Sequence, residues 1–154
     1  AEPHQLFYIQ RSTNPNTIVY TARFGTGGVL NASRPAQAYW RRFNDNGERM
    51  ELRPLERRLA FGMRIKPHGT PGEWTVTARA APQFPMHLRQ GPPWTAHVRT
   101  RIGGRVARPV YCFVTVDETG LIPWVTQFSL HGMDQATGRA ISETFAVSGG
   151  AIQP

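Results

Sequence analysis

The chain has a single lysine and a single cysteine among its 154 residues, and both scarcities limit its chemistry. Seventeen of its 18 basic residues are therefore arginine, whose guanidinium group stays charged at any working pH. The lone cysteine cannot form an internal disulfide. Cys112 lies in the apolar run from Pro109 to Val116, so we predict a small buried core residue and not a nucleophile.

Several sequence motifs that indicate an enzymatic activity or a metal or phosphate site are also absent. The sequence has no G-x-S-x-G nucleophile elbow, no H-x-x-x-H or C-x-x-C ligand spacing, and no phosphate-binding glycine loop with its lysine and following helix. We therefore predict no metal and no cofactor, although a hairpin could bring His87 close to His97. The apolar run around Cys112 is far too short to cross a bilayer, and no transmembrane segment is predicted.

The charge is the strongest compositional signal. The formal net charge is +8 and the isoelectric point is about 11.0, a balance that favours anionic partners such as nucleic acid, anionic lipid or an acidic protein surface. Net charge alone does not choose among these partners. A solvated, arginine-rich surface without a specific partner is the alternative interpretation.

Turn signals recur at short intervals and separate runs that are rich in β-forming residues. They include Gly25-Thr26-Gly27-Gly28, Asn46-Gly47 and Gly103-Gly104. This spacing predicts a single β-rich domain over residues 1–154, a mainly antiparallel barrel or sandwich. One segment breaks the pattern, because Leu52, Leu55 and Leu59 follow a helical period. We predict a short amphipathic helix near residues 51–62.

Arginine alternates with apolar residues on either side of the Gly103-Gly104 turn. The alternation places four side chains on one face of a hairpin: His97, Arg99, Arg101 and Arg108. The register across a two-residue turn sets Arg99 opposite Arg108, and like charges so placed destabilise a hairpin unless water or an anion screens them. Aromatic and cationic side chains also mix at Tyr39, Trp40 and Arg41, so we predict that both groups contact a partner.

Several stretches together resemble a known family. They are residues 7–12, 16–20, 35 with 38–41, 55–62, 123–132, 137–138 and 143. The family comprises bacterial extracytoplasmic domains and is known only as a domain of unknown function. The resemblance covers most of the chain and implies a compact, mainly β domain that is exported, with no catalytic residues to transfer. A start at Ala1 without methionine suits a mature periplasmic or secreted product cut after a small residue.

These observations favour a non-enzymatic extracytoplasmic interaction module, an accessory subunit of a periplasmic or envelope assembly. Its arginine-rich hairpin would meet an acidic protein or anionic envelope surface, with nucleic acid a less favoured partner and the oligomeric state open. Two alternatives remain. A small-ligand carrier would hold an apolar molecule in a void lined by Tyr20, Trp40, Phe128 and Phe145. A hydrolase would use Asp134 or Glu143, either of which could instead form a structural ion pair with an arginine.

Overall fold

A computed structural model describes residues 3–13, 15–43, 46–52, 54, 62–79, 82, 84–121 and 124–151 of the chain. The predicted all-β class is confirmed, because strands account for most of these residues and none of their helices reaches seven residues. Eleven strands follow one another along the chain: β1 (Gln5–Arg11), β2 (Thr17–Ala22), β3 (Ala36–Arg42), β4 (Glu48–Glu51), β5 (Met63–Pro67), β6 (Glu73–Ala78), β7 (Met86–Gln90), β8 (Ala96–Ile102), β9 (Arg105–Asp117), β10 (Trp124–Asp134) and β11 (Ala140–Ala151).

The strands form one large sheet with a branch. Its main path runs β4-β3-β2-β1-β9-β8-β7-β6-β5, and β10 joins β9 to β11 off this path. All pairings are antiparallel except that of β1 with β9, so the sheet is mixed although mainly antiparallel. Among the described residues β4 and β5, which end the path, do not pair with each other. The sheet is therefore open and is not a closed barrel.

Strand β9 is the branch point, and Pro109 marks where it changes neighbours. Before Pro109, β9 pairs with β8; after it, from Tyr111 onward, β9 pairs with β1. Proline cannot donate to a ladder, so a position between two partners suits it. A β-bulge opposite β10 lies at the same place, where Gly132 faces Pro109. A Cβ on Gly132 would lie 2.4 Å from the carbonyl oxygen of Arg108, so glycine permits this close approach.

Two groups of strands leave this branch point and share one core. We call β1–β4 the first wing and β5–β8 the second wing. Buried side chains of both wings belong to a single hydrophobic cluster that β9 and β10 complete: it includes Phe7, Ile9, Ile18, Tyr20 and Trp40 from the first wing, Trp74, Val76, Leu88, Val98 and Ile102 from the second, and Cys112, Val114, Phe128 and Leu130. Cys112 is 1% exposed, which confirms the predicted core position.

The structure describes only part of the region in which a helix is predicted. Glu51, the first residue of the predicted range, ends strand β4, because it pairs with Tyr39 of β3. Pro54 is helical, but residues 53 and 55–61 lie outside the described part of the chain, and so does most of the predicted helix. The sequence patterns did not reveal β4 and β5. Strand β4 has one apolar residue among four and shows no alternation, and β5 alternates over five residues only.

A candidate cationic interaction surface

The outward face of the second wing is built from cross-strand rows of polar side chains. Directly paired residues share a face of a sheet, and one row runs across four strands through Lys66, Thr75, His87 and Arg99. A second row joins Glu73, Arg89 and His97 on β6, β7 and β8. The alternate residues, such as Val76, Leu88 and Val98, are buried in the core. The period of two therefore separates a core face from a polar face.

Cations dominate this outward face. We call the cationic surface the set of basic side chains that it carries: Arg64, Lys66, Arg89, Arg99, Arg101 and Arg108. Within the described part of the chain, Glu73 is the one carboxylate on the rows of the second wing, and no salt bridge engages Arg89, Arg99 or Arg108. Positive charge on this surface is therefore not neutralised internally, and it is available to an anionic partner.

Histidines lie among these arginines. The Nε2 atom of His87 is 2.8 Å from Oε1 of Glu73, and the His87 ring stacks on His68 with centroids 4.3 Å apart. His68 Nδ1 is in turn 2.9 Å from the hydroxyl oxygen of Thr75. Among the described residues no group of three or more histidine, cysteine or acidic side chains is arranged to hold a metal ion. Glu73, the one carboxylate on the rows of the second wing, therefore lies next to His87 and forms no salt bridge with an arginine of the cationic surface.

His97 lies at one end of the cationic surface, where it pairs with Arg89 of β7. Burial lowers the pKa of His97 below its ordinary value of 6.5, and the positive charges of Arg99, Arg108 and Arg89 lower it further. His97 lines a shallow concavity of about 450 Å³ together with Arg99 and Arg108. The concavity is also lined by Asp134, whose carboxylate is paired with Arg105. An anion that entered the concavity would meet the guanidinium groups of Arg99 and Arg108, and it would favour the protonated form of His97.

The predicted hairpin is confirmed in its turn and register. Gly103 and Gly104 both have positive φ, 58° and 78°, as a type I′ turn requires. Arg101 pairs with Val106 on the following strand, as the two-residue turn predicts. Continuing this register brings Arg99 and Arg108 to the rim of the same concavity. Both remain exposed to water at least in part, which screens the repulsion between them.

The second predicted group lies elsewhere. Tyr39, Trp40 and Arg41 are on β3 of the first wing, so the structure does not join them to the cationic surface. Tyr39 and Trp40 are each only 3% exposed. Arginine side chains lie over both rings, Arg49 at 4.0 Å from the Tyr39 centroid and Arg11 at 5.1 Å from that of Trp40. Any partner that reaches this cluster would therefore meet guanidinium groups before it met the aromatic rings.

The two candidate hydrolytic carboxylates, Asp134 and Glu143, each form interactions that stabilise the fold. Asp134 is buried and forms an ion pair with Arg105, and it also accepts a 2.8 Å hydrogen bond from the backbone N–H of Ala136. Burial raises the pKa of Asp134, but those two interactions outweigh it, so this pKa lies below its usual range. A general acid needs the opposite shift. Glu143 accepts a hydrogen bond from the turn at Gly103.

The side chains that would line a ligand void instead pack in the core or reach the surface. Tyr20 stacks on Phe7 with ring centroids 4.4 Å apart, and Phe128 stacks on Phe84 at 5.3 Å. Phe145 packs edge-on against the same Phe84 ring at 5.3 Å and is 36% exposed. Interlocked aromatic pairs of this kind fill a core. This packing gives the carrier alternative no support.

The sequence by itself indicated only part of the cationic surface. The hairpin residues were predicted to contact a partner, whereas Arg64, Lys66 and Arg89 on β5 and β7 were not. The alternation Arg64-Ile65-Lys66 is the signal that could have revealed β5. Strand β7 agrees with the β-rich run predicted at residues 86–90, but no local pattern shows that it pairs with β8.

Fold and surface together define an all-β protein with an open, branched sheet and a cationic face on one wing. The chain belongs to the family described as Domain of unknown function (DUF4833), whose model matches residues 7–144. The comparison with curated proteins found no match, and the comparison with solved structures found none. Among the described residues no helix is both long enough and apolar enough to cross a membrane.

Proposed function

We propose that the protein is a non-enzymatic interaction module whose cationic surface binds an acidic protein. The observation that carries the proposal is the set of basic side chains on β5, β7, β8 and β9 that no salt bridge neutralises, of which Arg99 and Arg108 line one concavity with His97. Arginine suits this role because its planar guanidinium pairs with carboxylates in a bidentate manner. Opposed like charges on β8 and β9 also gain from an anion between them.

We propose that the protein acts in the periplasm, in the cell envelope or outside the cell, as an accessory subunit of a larger assembly. The support for this location is the sequence resemblance to extracytoplasmic domains, independently of the charge argument. Fractionation of the producing cells, with an antibody against the chain, tests it. Recovery of the protein with its acidic partner from the periplasmic or envelope fraction is expected, and recovery in the cytoplasm alone contradicts the assignment.

A charge-matched pair of variants tests the binding surface. Arg99→Ser with Arg108→Ser removes two cations from the concavity, whereas Arg23→Ser with Arg34→Ser removes two cations that line a separate depression beside β3. Each double variant lowers the net charge of +8 by two. The probe is fluorescent poly-glutamate, and the dissociation constant is measured at two ionic strengths. We expect roughly tenfold weaker binding for the first variant and little change for the second. The reason is that a specific site depends on the positions of its charges, and both variants have the same net charge.

Three results would contradict the proposal. An equal loss in both double variants means that only diffuse net charge attracts the probe. Tighter binding to single-stranded oligothymidine than to poly-glutamate, with a steep dependence on salt, favours a nucleic-acid partner. Tighter binding to phosphatidylglycerol vesicles than to poly-glutamate favours an anionic lipid surface instead.

A further inference from the structure

Three strands form edges of the described sheet, and they differ in how well they are protected. Strand β4 has four residues, three of them charged, and β5 has five residues that include Arg64, Lys66 and Pro67. Short length, charge and proline are the usual means by which an edge strand avoids pairing with another chain. Strand β11, in contrast, has twelve residues and contains no lysine, arginine or proline.

The backbone of β11 is regular over its first seven residues. Residues 140–146 pair with residues 127–133 of β10 in unbroken antiparallel register. The N–H of Asp134 donates a 2.8 Å hydrogen bond to the carbonyl of Arg139 at the first rung. Rungs alternate in an antiparallel ladder, so the N–H and C=O groups of Ser142 and Thr144 point to the opposite, free side. Within the described part of the chain, β11 pairs with β10 alone.

Among residues 140–146, whose side chains the structure describes, none protects this edge. Glu143 is the single charged residue of β11, and its carboxylate is held by the backbone N–H of Gly103 at 2.9 Å. It therefore points toward the β8–β9 turn of its own chain. Phe145 is 36% exposed and Met133 on the neighbouring strand is 39% exposed. The result is a long edge that carries no cation and a single carboxylate held by its own chain, with apolar side chains beside it, which is a template for strand addition.

We propose that β11 pairs antiparallel with β11 of a second copy of this chain. Antiparallel pairing of a strand with itself is two-fold symmetric, so one contact satisfies both free edges and closes the assembly as a dimer. Charge restricts where two copies can meet, because each copy carries +8 and the copies repel one another. Strand β11 contains no cation, so pairing there opposes no lysine or arginine of the two strands. The acidic partner proposed above would contact Arg108 and Arg99, which lie on strands two and three places away from β11.

The test measures oligomeric state against concentration for the whole chain by sedimentation equilibrium. Ser142→Pro removes an N–H that points to the free side, and Thr144→Lys adds a cation to the same edge. Met50→Lys on β4, whose side chain is 43% exposed, is the matched control on a protected edge. We expect a wild-type dimer, a dissociation constant at least tenfold higher for both β11 variants, and no change for the control. Far-UV circular dichroism and thermal unfolding verify that each variant folds.

Amide hydrogen exchange provides a second readout that does not depend on any variant. Protection of the Ser142 and Thr144 amides should rise with protein concentration in the wild type. A chain that stays monomeric at every concentration overturns the proposal, even when these amides are protected by an extended peptide from another protein. A dimer that survives in both β11 variants, or growth beyond a dimer, overturns it equally.

Discussion

The backbone N–H of Gly103 donates a 2.9 Å hydrogen bond to Oε1 of Glu143, a residue 40 positions further along the chain. The bond attaches strand β11 to the turn between β8 and β9. It therefore links the β11 edge of the sheet to the hairpin that carries Arg99 and Arg101. A carboxylate that sequence patterns offered as a hydrolytic candidate instead holds two strands together.

Glu143→Ala should lower the free energy of unfolding by about 1 kcal/mol, because one exposed hydrogen bond is lost. Glu143→Gln should lose less, since the amide oxygen can still accept from Gly103. Urea unfolding measures both. Glu118→Ala, which removes an exposed carboxylate from the loop after β9, is the control for charge alone. Equal effects of Glu143→Ala and Glu118→Ala would contradict the role of the hydrogen bond.

His97 should titrate below pH 6.5, because burial and the neighbouring arginines disfavour its protonated form. Imidazole chemical shifts followed against pH measure this pKa directly. Arg108→Ser should raise the pKa toward its ordinary value, and Arg34→Ser should leave it unchanged. An added poly-glutamate probe should also raise it if the anion binds in the concavity. A pKa at or above 6.5 in the free protein would show that the arginines do not act on this ring.

The same shift has a consequence for stability. Since the folded pKa of His97 lies below the unfolded value of 6.5, the unfolded chain binds the proton more readily. The contribution of His97 is therefore fully present above pH 6.5 and is lost as the pH falls from there through the folded pKa. Thermal unfolding over that interval should depend less on pH in His97→Gln than in the wild type. Identical slopes would contradict the prediction.

Cys112 should react slowly with a thiol reagent until the protein unfolds. The side chain is 1% exposed, and burial raises the pKa of its thiol, so the reactive thiolate is both scarce and inaccessible. Ala136→Cys, which adds a thiol to the exposed β10–β11 turn, is an internal control for the reagent. We expect one fast and one slow thiol in this variant. Two fast thiols under native conditions would show that the core around Cys112 opens readily.

Gly132→Ala should be among the most destabilising single-methyl changes in the chain. The added Cβ would lie 2.4 Å from the carbonyl oxygen of Arg108 and 2.9 Å from Cδ1 of Ile102. Neither the backbone nor a fully buried isoleucine can move without cost, so we expect a loss of about 1–3 kcal/mol or more. Gly25→Ala, whose nearest contact would be an ordinary 3.8 Å, is the matched control. Urea midpoints compare the two variants, and similar values would contradict the argument.

Short-range chemistry in the sequence determined a good part of this protein. The Gly103-Gly104 pair specifies a tight turn through positive φ at both positions, and that turn determines the register of Arg101 with Val106. Strict alternation predicted the core and outward faces of β8. An apolar run without a disulfide partner predicted a buried Cys112. Each of these features depends on residues that are neighbours in the chain, so local patterns contain the information.

Tertiary structure alone decided how the strands are ordered and which edges stay free. The parallel pairing of β1 with β9 joins segments about a hundred residues apart, as the match of Tyr8 with Tyr111 shows, and no local pattern encodes that choice. The same pairing makes β9 the branch point at Pro109. It separates Tyr39 on the first wing from His97 on the second. Alternation along a strand determines which side chains share a face, but packing around a common core determines which strands meet and which edge remains unpaired.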